Sequence, residues 1–432
     1  MGHARSSSPF QFKLLDAVVV LVPAVQLVEF NVVGRLFLGE MLLAALFPVL
    51  IIKRGRLLVA PLPRTVIALG LFWLVGQMLT DVIRATPFED FARGWAKIGF
   101  FLVNFMAIYL LVAGSRRRIV LFALGLVLGG FLTYQFNPGI YAAVYPWKFG
   151  IGTSATMLLI LLAVMVQWRR SRHVLVAAGI VLFASALNIY MGYRSFGGIC
   201  FVTGVFMLLQ GWITRGGRRQ IAIAPGQAIA VGITGLVAAS LALAIYSSMA
   251  GSGLLGSTAQ AKYEMQTRGT FGVPLVGRPE ILTSAKAVMD SPIVGHGSWA
   301  KNRYYVDEHY RSMQLLGVPV SDTRLLTSLI PSHSYVMGAW VEAGIMGAIF
   351  WLWVLWQTAR RLLGLAGNRE PLSPLLIFII VNLTWSILFS PFGAYARLNA
   401  AFFLTSLITV FTPTILMRKP VEKRGRIVRG FS

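Results

Sequence analysis

The chain has 432 residues, of which 56% are hydrophobic and 12% charged, with a single cysteine, Cys200. An ordinary soluble domain carries about twice that charged share, so the composition excludes a soluble enzyme, a disordered chain, a disulfide framework and a cysteine-based zinc site. It points to an all-α polytopic membrane protein.

A membrane-crossing helix needs about 20 mostly apolar residues. Candidate spans lie near 14–30, 33–52, 65–83, 95–113, 119–135, 153–168, 174–191, 199–214, 226–249, 336–357, 373–390 and 398–417, twelve in all. The first is short, carries Asp16 and Glu29 near its ends, and reads as a shallow or tilted entry helix. No small-residue cleavage site follows it, so no signal peptide is expected to be removed.

Lysine and arginine number 39 against 15 aspartates and glutamates, a formal net charge of +24. With the N-terminus placed in the cytoplasm, every second connection carries a basic cluster. These are Lys53, Arg54, Arg56 and Arg64; Arg116 to Arg118; Arg169, Arg170 and Arg172; Arg215, Arg218 and Arg219; and Arg360, Arg361 and Arg369. Only Glu370 and Glu422 are acidic on that side. The excess is therefore positive-inside topology with both termini cytoplasmic, with contact to anionic inner-leaflet lipid as a secondary effect. Nucleic-acid binding is not expected of basic residues scattered over short loops. The chain divides into helices one to nine (1–249), a large outside loop (250–335), helices ten to twelve (336–417) and a basic cytoplasmic tail (418–432). The other outside connections are 84–94, 136–152, 192–198 and 390–397, with a tight turn near 31–32.

A connection as long as 250–335 implies helices of its own or a function. From Pro279 to Asp290, apolar residues fall at Ile281, Leu282, Ala285, Val288 and Met289, one helical face. Pro279 suits the first turn, and Pro292 with Gly295 and Gly297 ends the helix. Such a helix is expected to lie on the outer membrane surface, apolar side down.

Several outside residues are candidates for chemistry. Arg194, in Tyr193-Arg194-Ser195-Phe196-Gly197-Gly198, sits at the membrane boundary, where an arginine needs a partner. A phosphate gripped in a bidentate manner is one such partner; a snorkelling or capping role is the other reading. Arg278 stands just before a predicted helix start, and helix N-termini attract anions; an ion pair with Glu280 is the alternative. His333, in Pro331-Ser332-His333-Ser334-Tyr335, lies where the loop re-enters the membrane. A neutral imidazole there can take a proton from a hydroxyl, although lone histidines are more often structural. Ser332 is a candidate cap for the following helix. Glu342 lies about two and a half turns deeper and is expected to pair with an arginine or act as a polar anchor. Arg397 is a further boundary cation, equally a substrate contact or an anchor. His296 and His309 match no metal-ligand spacing, and no phosphate-cradling glycine loop, dinucleotide fingerprint or nucleophile elbow is present. Neither metal nor cofactor is expected.

The order of these pieces resembles the O-antigen ligase and O-antigen polymerase superfamily of bacterial envelope glycosyltransferases. The residues are Tyr193 to Gly198; Gly277-Arg278-Pro279-Glu280 with Ser291-Pro292-Ile293-Val294-Gly295-His296-Gly297; and Ser332 to Tyr335 running on to Glu342-Ala343-Gly344-Ile345-Met346-Gly347. Ser334 stands where the family usually has asparagine. The match covers roughly residues 150–360; the first 150 residues match only as hydrophobic spans. The resemblance implies a C-type fold and metal-independent, inverting transfer on the periplasmic face of the inner membrane, in lipopolysaccharide or exopolysaccharide biosynthesis. The donor would be a glycan on undecaprenyl diphosphate, and the acceptor lipid A–core or another lipid-linked glycan. On this reading Arg194, Arg278 and His333 are catalytic. Arg194 and Arg278 hold the diphosphate, His333 activates or orients the acceptor hydroxyl, and Arg397, Tyr335 and Glu342 contact substrate. The alternative is a transporter or flippase of lipid-linked oligosaccharide. It should carry charge deep in its spans, whereas here the mid-span positions are nearly free of charge, Glu40 and Asp81 being the main exceptions, with Lys97 near a span start.

Overall fold

A computed structural model describes residues 14–32, 34–169, 173–214, 225–254, 256–267, 279–315, 328–368 and 370–411. The described chain is almost wholly helical. Helices α1 (Leu14–Ala24), α2 (Leu38–Arg54), α3 (Pro61–Ile83), α4 (Phe88–Val112), α5 (Arg116–Phe136), α6 (Ile140–Val144), α7 (Gly152–Arg169), α8 (Val174–Tyr190), α9 (Arg194–Ile213) and α10 (Pro225–Gly251) come first. They are followed by α11 (Ser257–Thr267), α12 (Glu280–Asp290), α13 (Arg303–Leu315), α14 (Tyr335–Ala343), α15 (Ile345–Ala366), α16 (Ser373–Phe389) and α17 (Ala394–Phe411). Five helices among the described residues are long and apolar enough to cross a membrane: Pro61–Ile83, Phe88–Val112, Arg116–Phe136, Trp147–Arg169 and Arg194–Ile213. Their hydropathy and their packing into one apolar core fit an all-α membrane protein.

Polar contacts gather at the two ends of the bundle. At one end, Arg54 closes α2 by donating to the carbonyls of Leu110, Leu111 (3.3 Å) and Ala113 (2.9 Å), the last turn of α4, as cations at helix C-termini do. Arg118 and Arg117, opening α5, pair with Asp16 of α1 at 2.9 and 3.5 Å. Arg116 holds Glu370 in a fork of 2.6 and 3.0 Å, and Gln210 of α9 donates to the carbonyls of Leu365 and Asn368 at 2.8 and 2.7 Å. This is the end where the basic clusters fall in the sequence. Asp16 and Glu370 answer the arginines opening α5.

The other end carries the connections that position the site. The expected span at 14–30 stops early: α1 ends at Ala24, and Glu29–Asn31 (β1) pairs antiparallel with Arg35–Phe37 (β2) in a small hairpin. The sequence reading placed only a turn there. A second departure is the expected helix 336–357, which breaks into α14 and α15 at Gly344 (φ +63°, ψ −157°). That conformation is open only to glycine. The loop helix forms as expected at α12, but its packed face differs. Thr283, Ser284, Ala287 and Val288 are buried against α13 and α14, while Leu282 and Met289 are exposed. Small side chains let helices approach closely, so the packed stripe is the small one rather than the greasiest one.

Candidate functional site

The turn after α12 docks on the break between α14 and α15. His296 N donates to Val341 O at 2.7 Å, Gly297 N to Glu342 O at 3.1 Å, and Ile345 N to Ile293 O at 3.3 Å. A Cβ at Gly295 would stand 2.5 Å from Gly344 N, and one at Gly344 2.5 Å from the Ile293 carbonyl carbon. The Pro-x-x-Gly-x-Gly and Glu-x-Gly-x-x-Gly stretches are thus two halves of one backbone clasp. The end of α3 fastens it. Arg84 donates to Gly295 O and Ser291 Oγ at 2.9 and 2.7 Å, Thr80 to Val294 O, and Asp81 accepts from Ser298 N (2.6 Å), Ser298 Oγ (2.7 Å) and Trp95 Nε1 (2.8 Å). His296 Nε2 lies 2.8 Å from Ala287 O and His309 Nδ1 3.4 Å from Thr283 Oγ1, so both rings have partners within the loop. Among the described residues no group of three or more His, Cys, Asp or Glu could hold a metal ion.

Beside the clasp lies a cavity of about 1240 Å³, walled by the β-hairpin, α4, α13, the stretch 329–342 and the stretch 391–397. α4 contributes one helical stripe, Ala92, Arg93, Ala96, Lys97 and Phe100. The inner wall is aromatic: Trp73, Tyr335 and Phe392 line it, backed by buried Phe101, Phe350 and Trp351. Tyr335 packs on Phe392 and Trp351 with ring centroids at 5.0 and 4.9 Å. At the rim, Trp299 is held at φ +52°, a region a bulky side chain rarely adopts, and Arg93 lies 5.7 Å over its ring. Such strain persists only where neighbouring hydrogen bonds over-determine it, as those to Gly297 and Ser298 do here.

His333, Tyr335, Glu342 and Arg397 all line this cavity. His333 has its side chain 46% exposed, with Nδ1 3.7 Å from Glu280 Oε1. Ser334, and not the expected Ser332, caps α14. It accepts from Met337 N at 3.1 Å and donates to Ile387 O at 2.7 Å, a role asparagine also fills well. Glu342 pairs with Lys97 rather than with an arginine. Arg397 is buried and forks onto Glu40 at 2.9 and 2.6 Å, donating also to Arg35 O at 2.8 Å; Asn104 Nδ2 reaches Glu40 at 2.8 Å. These contacts favour the anchoring reading of Arg397. Arg194 does not line the cavity. It opens α9 at the same end of the bundle and packs on Tyr246 of α10, donating to its hydroxyl with the guanidinium 4.9 Å over the ring. Arg278 lies outside the described residues.

Two cavity cations were not singled out in the sequence, Arg35 and Arg93. Arg35 reaches Glu29 at 3.6 Å and Tyr395 Oη at 2.5 Å, and Arg93 reaches Glu89 at 3.5 Å and Asp90 at 4.0 Å. Arg93 fell in the expected outside connection 84–94, whereas Arg35 fell at the start of the expected span 33–52. Counting Lys97 and Arg397, four cations among the described residues line the cavity, with Glu280 and Glu342. No protein-family model matches the chain, and no curated protein matches it.

Proposed function

We propose that the protein transfers a glycan from undecaprenyl diphosphate to an acceptor hydroxyl, acting as an O-antigen-type ligase or as a polymerase of lipid-linked repeat units. The observation that carries the reading is the cavity itself. An aromatic inner wall, four cations each paired with a carboxylate and one half-exposed imidazole share a single space at the loop end of an apolar bundle. The apolar helices then read as twelve membrane crossings, with the basic end cytoplasmic and the cavity at the periplasmic surface.

The chemistry follows from what each group can do. A departing diphosphate gathers negative charge in the transition state, and fixed cations near it lower the barrier. Arg194, which opens α9 outside the cavity wall, and Arg278, outside the described residues, are the donor-side cations on this reading. Arg93, on the cavity wall beside Glu89, Asp90 and the Trp299 ring, adds a further cation to that space. Apolar aromatic walls exclude water, which strengthens those contacts and suppresses hydrolysis. His333 activates the acceptor hydroxyl, and attack opposite the diphosphate inverts the sugar carbon.

The test is in vitro transfer by purified protein given undecaprenyl-diphosphate glycan, with and without lipid A–core. Product on the core identifies a ligase, lengthened lipid-linked glycan a polymerase, and no product of either kind refutes the reading in favour of transport. Arg194→Ala, Arg278→Ala and His333→Ala are each expected to abolish transfer while the protein still folds and inserts. Full activity in any two of them would remove the site assignment.

A further inference from the structure

Glu280 opens α12 and shares the cavity wall with His333. Its Oε1 stands 3.7 Å from His333 Nδ1, while its Oε2 is buried with no hydrogen-bond partner among the described residues. A carboxylate oxygen removed from water without a partner costs free energy unless the arrangement closes in another state. The 3.7 Å gap lies beyond a direct hydrogen bond but within the range that tightens when a site fills.

We propose that Glu280 is the positioning residue of His333. Its carboxylate accepts a hydrogen bond from Nδ1–H, which fixes the ring tautomer and leaves Nε2 as the base that faces the acceptor. This rests on the transferase reading above and adds to it a second residue with a stated role. The pairing follows the general logic of a carboxylate that orients an imidazole and stabilises the cation formed when the ring takes up a proton. In the step itself, the acceptor oxygen forms a bond to the anomeric carbon. The bond from that carbon to the diphosphate oxygen breaks, and its electron pair leaves on the diphosphate. The hydroxyl proton passes to His333 Nε2 and afterwards to water. Nothing in the step requires an oxidant, a metal or a further reactant.

The first turn of α12 suits an acidic side chain, because the helix N-terminus carries partial positive charge. The same position brings Glu280 to His333 across the connection from α13 to α14, 53 residues along the chain.

Two readouts test the pair. In full-length protein labelled with ¹⁵N-histidine, the five histidines give few ring signals, and His333→Ala identifies the one that matters. Wild type is expected to show Nδ1 protonated and Nε2 bare, and Glu280→Gln to lose that bias. A wild-type ring protonated on Nε2, or a signal unchanged in Glu280→Gln, overturns the proposal. For transfer, Glu280→Gln is expected to lower kcat about 100-fold with KM held within about twofold, the scale of general acid–base catalysis. Glu280→Asp, which keeps the charge, should recover part of it, and Glu280→Gln should add nothing in a His333→Ala background. Wild-type kcat in folded Glu280→Gln overturns the pair while leaving the transferase reading standing. A wild type that makes no product refutes the transferase reading, and the ring signal still decides whether the pair exists.

Discussion

Replacing Arg397 separates an anchor from a substrate ligand. Its side chain is 5% exposed and that of Glu40 0%, and they meet in a fork of 2.9 and 2.6 Å. Removing one partner of such a pair leaves a buried charge unanswered, a loss of about 3–5 kcal/mol, whereas replacing both with apolar side chains of similar volume is close to neutral or better. Arg397→Met alone is therefore expected to destabilise by at least about 3 kcal/mol, and Glu40→Leu with Arg397→Met to recover most of that. Asn104 tempers the recovery, because its Nδ2 donates to Glu40 Oε1 at 2.8 Å and its Oδ1 is already unpartnered. The assay is denaturant unfolding in detergent micelles, run as a double-mutant cycle. If Arg397→Met costs less than about 0.5 kcal/mol yet abolishes glycan transfer, the anchoring argument is wrong and the residue belongs to the substrate site.

Gly344→Ala should cost more than about 2 kcal/mol, combining a glycine-only backbone conformation with a clash at the Ile293 carbonyl; unfolding at wild-type denaturant concentration would refute the clasp. Tyr305 is pushed up to about 12, first by burial and then by its hydrogen bond to Asp290 at 2.8 Å. A folded value above the ordinary one of about 10 means that Tyr305 contributes its full stability below pH 10 and loses it as pH rises toward 12. The stability gap between wild type and Tyr305→Phe should therefore be flat below about pH 10 and shrink above it; a gap that widens would contradict the sign. Transfer is expected to survive EDTA, measured as product formed before and after chelation, and loss restored by a divalent ion would overturn the metal-free step.

The readable parts of the chain were those with local physical signatures. Apolar length marked the helices, Pro279 and Asp290 bracketed α12, and the arginines beside apolar runs marked one end of the bundle. The hairpin from Glu29 to Phe37 escaped because three-residue strands are too short to show a period of two. The break at Gly344 escaped because one glycine inside an apolar run looks like helix packing until Ile293 is seen against it. Glu40 and Arg397 lie 357 residues apart, so no spacing rule could join them, and each looked alone like an unpaired charge. Arg35 and Arg93 face the cavity because the hairpin and one stripe of α4 do, and that follows from tertiary packing alone.

The sequence stretches that suggested a transferase turn out to do two different jobs. Ser291 to Gly297 and Glu342 to Gly347 bind each other through backbone atoms, with glycines where a Cβ would strike the opposite chain. Substitutions there should be felt first as lost stability, whatever the activity. His333 and Glu280 are held differently: one ring is half-exposed in a cavity, and one carboxylate has a spare oxygen. Substitutions there should leave stability nearly intact. Glu342 joins the two groups, since its carbonyl accepts from Gly297 in the clasp while its carboxylate meets Lys97 on the cavity wall. Glu342→Gln is therefore the informative change. It keeps the carbonyl and the clasp but leaves Lys97, 14% exposed, without its counter-charge. A variant that folds like wild type and loses transfer would place the Lys97 pair in the chemistry. One that loses both would place it in the scaffold.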